Sequence, residues 1–576
     1  MDAFLRGSSI STQPSVSTQP SISGQPSVPM QSETENITED TPCELHVPFG
    51  YKGKMMKVAS GTAFPGEMLH NRDIPPGYMH VTVSEIVPGY EDNEIECPIP
   101  ELLLFGRLAC CIGAVLVEKI LRVQPDVKRI YLPVRAADAA SAKERVETEV
   151  IGKELFGLLR EEHGKGFQSF IQEKIVPLAG DIIYENFGVE GAQLREMTQE
   201  LNVIVNGAAT TNFYERYDVA LDVNVMGVKH MCQLAKKCPN LEVILHVSTA
   251  YVVGEQQGLV QERPFKNGET LREGMQLDIE AELLLAMDCK RQLVEEDREK
   301  NERKAMKELG LARAREFGWP NTYVFTKALG EMTLGQLRGD IPVVIVRPSI
   351  ITSIQKDPLP GWIEGTRTID AILTGYAKQN LSCFLADLDL TMDVIPGDMV
   401  VNAMMAATAA HASPAAQQQT VYHATSSLRN PAPYAVLYRT GMRYFYENPR
   451  VGKNGEPVRT HKVHFFSTIA AFHLYMVVKY KLPLELLHLL NLLFFGLFSH
   501  LYNDLNRKYK FVMHLVDLYG PFALFKGCFD DCNMEKLRLS MTAEDRVAFN
   551  FDPKTVDWDD YFYRIHIPGV MKYVLK

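Results

Sequence analysis

Tyr323 and Lys327 stand four residues apart in the stretch "YVFTK". On a helix that spacing puts both side chains on one face. A phenol ionises near pH ~10, too high for efficient proton exchange at neutral pH, and a neighbouring ammonium lowers that value by favouring the phenolate. The pair is therefore a candidate general acid with its tuner. Taken alone, the spacing more often means a packed tyrosine beside a solvated lysine. Context argues for chemistry, because the pair follows a run ending in hydroxyl residues, "VSTAYV", and precedes another ending "VRPS".

Such a pair needs a helix to carry it and strand ends to face it. From residue 100 onward, short β-rich runs alternate with helical stretches: "RIYLPVR" (129–135), "IVPLAGD" (175–181), "NVIVNGAA" (202–209), "EVILHVSTAYV" (242–252) and "IPVVIVRPSII" (341–351). Near-continuous apolar strands separated by helices predict a parallel sheet covered on both faces, a doubly wound α/β domain. Ligands of such sheets sit at the carboxyl ends of the strands. Arg135, Asp181, Asn206, Ser248, Thr249 and Ser349 gather there. Pro133 is out of place in a central strand, where it removes a ladder hydrogen bond.

The 576 residues, 46% hydrophobic and 23% charged, suffice for two domains and a tail. A formal charge of −11 argues against nucleic acid as a partner. Ten cysteines lack the two-plus-two spacing of a zinc site, so we expect no metal and a reducing compartment. From Ser11 the chain repeats "STQPSV", "STQPSI" and "SGQPSV", a composition too poor in apolar residues to form a core. We expect a disordered tail over 1–45 and no secretion signal. An organelle transit peptide is the weaker reading of that tail.

The stretches "VNGAATTNFYERYDVALDVNVMG", "HVSTAYVVGE", "YVFTKALGE" and "VRPSII" resemble the extended short-chain dehydrogenases, and more narrowly the plant alcohol-forming fatty acyl-CoA reductases, including anther-type members. "GWIEG", "FDPKTVDWDDYF" and "IHIPGV" are similar to that family's C-terminal domain. The resemblance runs from about Ile112 to the C-terminus. It implies a Rossmann-like α/β fold with an NADP-binding reductase domain over 101–410, a mostly helical C-terminal domain over 411–576, and an atypical segment at 46–100. The implied reaction reduces a long-chain acyl-CoA, or an acyl carrier protein thioester, to a primary alcohol by two hydride transfers from NADPH. Tyr323 would then protonate the carbonyl oxygen, Lys327 would lower its pKa and hold the nicotinamide ribose, and Thr249 or Ser248 would hydrogen-bond the substrate oxygen. The implied cofactor contacts are Gly113, Arg135 at the 2′-phosphate, Asp181 at the adenine amine, Asn206, Ala208, Pro348 and Ser349. Asn224 would support Lys327 through water, or else cap or pack a helix. Family members occur at the endoplasmic reticulum surface and in the plastid.

The departure from the family lies just ahead of "VLVEKIL". Where the family has Gly-x-x-Gly-x-x-Gly, this chain places Arg107, Cys110 and Gly113, so only the third glycine remains. A Cβ and a sulfur at the second site crowd the approach of backbone amides to a pyrophosphate. The strand before it is also in question, because "PIPELLLFG" offers a short apolar run behind two prolines. Gly61 and Gly66 imitate the missing loop, but Pro75 and Pro76 would truncate its helix, so a surface turn is expected there. Either the cofactor loop has diverged, or the first hundred residues are wrongly joined to a reductase. Three functions stay open: the alcohol-forming reductase, an impaired acyl-CoA-binding relative, and a reductase that stops at the aldehyde. Finally, 289–308 reads as a solvated charged helix. The apolar run at 463–502 is interrupted by His473, Lys479, Pro483, Glu485, His488 and Asn491, which favours a buried helical pair or a membrane-surface face over a transmembrane anchor.

Overall fold

The computed structural model describes residues 101–106 and 111–575, apart from short stretches at 296–298, 366–367, 379–380, 413–418, 452–454 and 459. The expected tail, the segment at 46–100 with Gly61 and Gly66, and the turn positions Arg107 and Cys110 lie outside the described residues.

Seven strands form one all-parallel sheet: β1 (Glu101–Gly106), β2 (Arg129–Val134), β3 (Ile175–Ala179), β4 (Val203–Gly207), β5 (Val243–Val247), β6 (Val343–Pro348) and β7 (Gln419–Ala424). Their spatial order is β3-β2-β1-β4-β5-β6-β7, the doubly wound order whose direction of winding reverses between β1 and β4. The last strand comes from beyond residue 410. The questioned strand before the cofactor turn is formed, with β1 paired to both neighbours: Leu102↔Ile130 on one side and Leu102↔Val203 through Gly106↔Gly207 on the other. Parallel pairing is a backbone property, so a short run of apolar residues can fill that seat.

Alternation sets the two faces of the sheet. Val203, Val205, Val243, Leu245, Val344 and Val346 pack on one side with helices α1 (Cys111–Val123) and α3 (Gly397–His411). Ile204, Ile244, Val343 and Ile345 point to the other side, against the helical run 217–235. Each fully buried aliphatic side chain contributes about 1.5–3 kcal/mol of transfer free energy. Pro133 does not break the ladder to β1, because that pairing ends at Leu103↔Tyr131; the proline sits opposite Leu178 of edge strand β3.

Helix α2 (Thr322–Leu337) carries the Tyr–Lys pair and is buried nearly all round. Three short parallel strand pairs stitch later residues onto this layer, among them Cys383–Leu385 with His464–Phe466 and Gly258–Val260 with Gly527–Phe529. Beyond β7 the chain is mostly helical. The charged run at 289–308 falls in the helices Ile279–Glu295 and Glu299–Glu316. The apolar run is not a buried pair. It forms α4 (Leu482–Leu493) and leads into α5 (Ser499–Ala523), with most large side chains of α4 turned to solvent.

Candidate active site

Helix α2 is pinned before any ligand arrives. Asn321 caps it by accepting from the Val324 amide at 3.1 Å. Glu331 accepts two bonds from Arg347 of β6, at 3.0 and 2.5 Å, in a pair with both side chains buried. Gly330 lets the helix approach the run 217–235 closely: a Cβ there would lie 2.3 Å from the Asn224 carbonyl oxygen. Asn224 itself donates to Thr326 of α2 at 2.9 Å and accepts from the Thr210 amide at 3.1 Å. Its amide thus ties the Thr210 loop to α2.

This framework places Tyr323 and Thr249 on the wall of one cavity of about 740 Å³, with Ser349 beside them. Tyr323 stacks on Phe213, ring centres 5.8 Å apart. The rest of the wall is largely apolar, including Ile369, Leu373, Phe384, Leu437 and Phe522. A few polar groups at one end of a deep apolar pocket suit a ligand with a long hydrocarbon chain and one reactive head. Thr249 follows the end of β5; its hydroxyl lies 3.5 Å from the Pro348 carbonyl and accepts from the Tyr251 amide at 3.4 Å. The neighbouring Ser248 hydroxyl is buried and makes no hydrogen bond in the structure.

Lys327 lies behind this wall, fully buried, donating to the Val247 carbonyl at 2.8 Å. Burial lowers its pKa from 10.5 to about 8, partly opposed by the Glu331 charge. Its second neighbour is His246 of β5, with Nζ 3.2 Å from Nε2. On the other side of that ring, Nδ1 is 3.2 Å from the Asn206 side-chain nitrogen. The Asn206 oxygen accepts from the Ala208 amide at 3.1 Å, which fixes the nitrogen toward the ring. Nδ1 must then accept, Nε2 carries the proton, and that proton points at the Lys327 nitrogen. The arrangement is satisfied by a neutral amine and opposed by an ammonium, the same direction as burial. His246 itself is held neutral by burial and by Lys327.

The sequence-derived cofactor residues divide into two groups. Arg135 and Asp181, after β2 and β3, stand together at the carboxyl edge of the sheet, Nε to Oδ2 3.7 Å, with Arg135 largely exposed. Gly113 is in the first turn of α1, directly after β1 and the turn. Pro348 and Ser349 end β6, and the Ser349 amide donates to Ala424. Asn206, Ala208 and Asn224 instead have their amide groups engaged within the protein, as described. His246 was not singled out in the sequence. Its one signal is a lone imidazole in an otherwise aliphatic strand.

The donors at the carboxyl edge fit a dinucleotide at both ends. The orphaned Ser248 hydroxyl and Lys327 serve the ribose end, and the exposed Arg135 serves the phosphate-bearing end. A separate grouping, Ser353, His566 and Asp370, has the composition of a hydrolytic triad but is fully buried. His566 Nδ1 accepts from the Ser353 amide at 3.3 Å and lies 3.1 Å from its hydroxyl. It fastens the C-terminal helical segment to the sheet domain.

A doubly wound parallel sheet with a hydroxyl-tipped β5 and a Tyr-x-x-x-Lys helix defines an extended short-chain dehydrogenase type of oxidoreductase. Residues 111–404 match an NAD-binding family model described as "Male sterility protein", and residues 479–576 match a second model with the same description. The chain is 48% identical over 471 residues to a probable fatty acyl-CoA reductase 4 of Arabidopsis thaliana, covering 81% of this chain and 95% of that one. It is 44% identical over 472 residues to the alcohol-forming fatty acyl-CoA reductase of Simmondsia chinensis, with the same coverage. A chloroplastic fatty acyl-CoA reductase 2 of Arabidopsis thaliana is 38% identical, covering 81% of this chain and 77% of that one. The chain belongs to the male sterility family of fatty acyl-CoA reductases. Its cofactor class is a nicotinamide dinucleotide and its substrate class is fatty acyl-CoA.

The first hundred residues have a different affinity. Residues 32–106 match a domain of unknown function, and that match ends on the last residue of β1. The central strand of the sheet is therefore supplied from outside the family match, and the cofactor turn falls between the two matches.

Proposed function

We propose that this chain reduces long-chain fatty acyl-CoA, or the corresponding acyl carrier protein thioester, to a primary alcohol with NADPH, through a nucleotide turn that holds the cofactor weakly. The observation that carries this reading is the Tyr323 and Thr249 pair at the polar end of an apolar cavity, with Lys327 buried behind it. Bound NADPH supplies a hydride in each of two rounds. In each round, the Thr249 hydroxyl, or Ser248, donates to the carbonyl oxygen where negative charge develops. In the round that completes the alcohol, Tyr323 transfers its phenolic proton to that oxygen, and Lys327 in its charged form stabilises the phenolate left behind. In the first round, CoA leaves as the tetrahedral oxyanion collapses to the aldehyde. Retention of the aldehyde in the apolar cavity favours the second round over release.

Arg135 supports NADPH over NADH, because a cation after the second strand meets a 2′-phosphate. Gly113, Asp181, Pro348 and Ser349 would line the cofactor groove. Asn206 and Ala208 would shape it from below, and Asn224 would support it through the Thr210 loop. We assign the division into a reductase domain and a C-terminal domain to a boundary near residue 410. We place the protein inside the cell, in peripheral contact with a membrane, at the endoplasmic reticulum surface or in the plastid. The chloroplastic relative supports the latter. A non-catalytic acyl-CoA-binding role is the second reading, favoured by Arg107 and Cys110 where the family has glycines.

The test is the full-length chain with palmitoyl-CoA and NADPH, following NADPH loss and extracting the lipid. Alcohol as product, lost in Tyr323→Phe by at least ~10²-fold, supports the reductase. Aldehyde as the sole product contradicts alcohol formation. No turnover in the native chain, restored when a Gly-x-x-Gly-x-x-Gly segment replaces residues 104–113, assigns an intact reductase site to a chain disabled at its nucleotide turn.

A further inference from the structure

Helices α4 and α5 are anchored at their outer ends and overhang in between. The helix Ile469–Met476 ahead of α4 buries Phe472 and Met476, and α5 buries Val512, Leu515 and Val516 against the same cluster. Between these anchors, Leu484 is the one residue of α4 that is fully buried. Leu486, Leu489 and Leu493 form an exposed stripe along α4, and Leu501 and Leu505 continue it on α5. In the connecting turn Leu497 is 74% exposed and Phe495 wholly so. Phe495 also adopts a positive φ of 52°, a conformation a bulky side chain rarely takes. So much contiguous apolar surface marks an interaction site.

Two features of the hairpin select its partner. The first is the turn's own hydrogen bonding. Every backbone amide from Phe494 to Ser499 finds an acceptor within the hairpin: the Phe494, Phe495, Gly496, Leu497 and Ser499 amides donate to nearby carbonyls, and the Phe498 amide donates to the Asn491 side chain at 2.9 Å. The Ser499 hydroxyl is bonded as well, to the Gly496 carbonyl at 2.6 Å. A turn in water has no need of such closure, whereas a turn in hydrocarbon cannot do without it. The second is charge. Residues 486–503 contain no Asp, Glu, Lys or Arg, while Lys479 and Lys481 precede α4, and Arg507, Lys508 and Lys510 lie on α5. At 1.5 Å per helical residue, the basic residues of both arms sit at one level, about 12–18 Å behind the tip. That is close to the depth of one hydrocarbon leaflet, about 15 Å. Over 477–511 five basic residues face two acids, Glu485 and Asp504, in a chain that is acidic as a whole.

We propose that the α4–α5 hairpin is a monotopic anchor that inserts its Leu/Phe tip into one leaflet of an anionic bilayer, with its lysines and arginine at the phosphates. No helix among the described residues is long and apolar enough to cross a membrane, which accords with a dip into one leaflet. The anchor specifies the surface for the membrane contact proposed above, and it does not depend on turnover. It also has a use for the reductase reading, since α5 carries Tyr519 and Phe522 to the wall of the acyl cavity. One helix thus links the bilayer to the pocket.

Flotation of the full-length protein with vesicles tests the anchor without any assay of activity. Vesicles of phosphatidylcholine, alone or with about one-third phosphatidylserine, should both carry the protein, the anionic ones several-fold better and in a salt-sensitive manner. The double substitution Leu493→Asp with Phe495→Asp should reduce flotation by more than ~10-fold on both. Its unfolding midpoint should stay at the wild-type value, because both side chains are solvent-exposed. Lys481→Glu with Lys510→Glu should remove the preference for anionic vesicles and leave binding to neutral ones. Wild-type protein that floats with neither vesicle overturns the proposal, as does an Asp variant that floats like wild type. Self-association of the wild type that the Asp substitutions abolish, without flotation, overturns it in favour of a second copy of the chain.

Discussion

At the residue scale, the site turns on how charge is held at Lys327. Below pH about 8 the ammonium is charged in both the folded and unfolded chain, so the folded state carries the full cost of burying it. Between about 8 and 10.5 the unfolded chain binds a proton that the folded chain does not, and stability rises with pH across that window. Lys327→Met should therefore abolish reduction and yet stabilise the protein at pH ~7 by about 1–3 kcal/mol in urea unfolding, a gap that closes above pH ~10.5. A variant less stable than wild type at pH ~7 would contradict the cost of the buried ammonium. Tyr323, Lys327 and Thr249 were legible because their types and spacing carry their chemistry. His246 was not, since its meaning comes from what two other strands and a helix bring within 3.2 Å of its two ring nitrogens.

At the element scale, α2 works as a rigid mount. Its position is set by the Asn321 cap, the buried Arg347–Glu331 pair and the close approach at Gly330. Gly330→Ala should cost about 1–3 kcal/mol, because the new methyl meets a backbone carbonyl that cannot swing aside. It should also lower kcat, by shifting Tyr323 against the Thr249 wall. Denaturant unfolding and steady-state rates measure the two effects, and unchanged values in both would show that the helix has slack. Strands β2 to β6 could be read from their near-continuous apolar runs. Strand β1 could not, because its six residues follow two prolines and what seats it is pairing on both sides. The α4–α5 run was legible as apolar but not as exposed. Composition says that a face is greasy, and only the fold says which way it points.

At the scale of the whole molecule, the structure joins a family reductase to a foreign lead. A match to an unrelated domain ends with β1, the family match begins with α1, and the four residues between them occupy the place of the nucleotide turn. The sheet tolerates this substitution because a parallel ladder asks little of side chains, whereas a pyrophosphate turn asks for glycine at defined positions. The acyl cavity, the Tyr–Lys helix and the C-terminal hairpin all lie on the family side of the junction. Substrate handling is thereby conserved in form, and the hold on cofactor becomes the weak point of the assembly.

The most direct measurement of the central claim uses NADPH deuterated at the transferred position, palmitoyl-CoA and the full-length chain, with mass analysis of the extracted lipid. Two hydride transfers to one carbon predict hexadecanol carrying two deuterons at C1, absent when Tyr323 is replaced by Phe. Alcohol formed equally well by Tyr323→Phe would contradict the account, as would a chain that makes none even with its glycine turn restored.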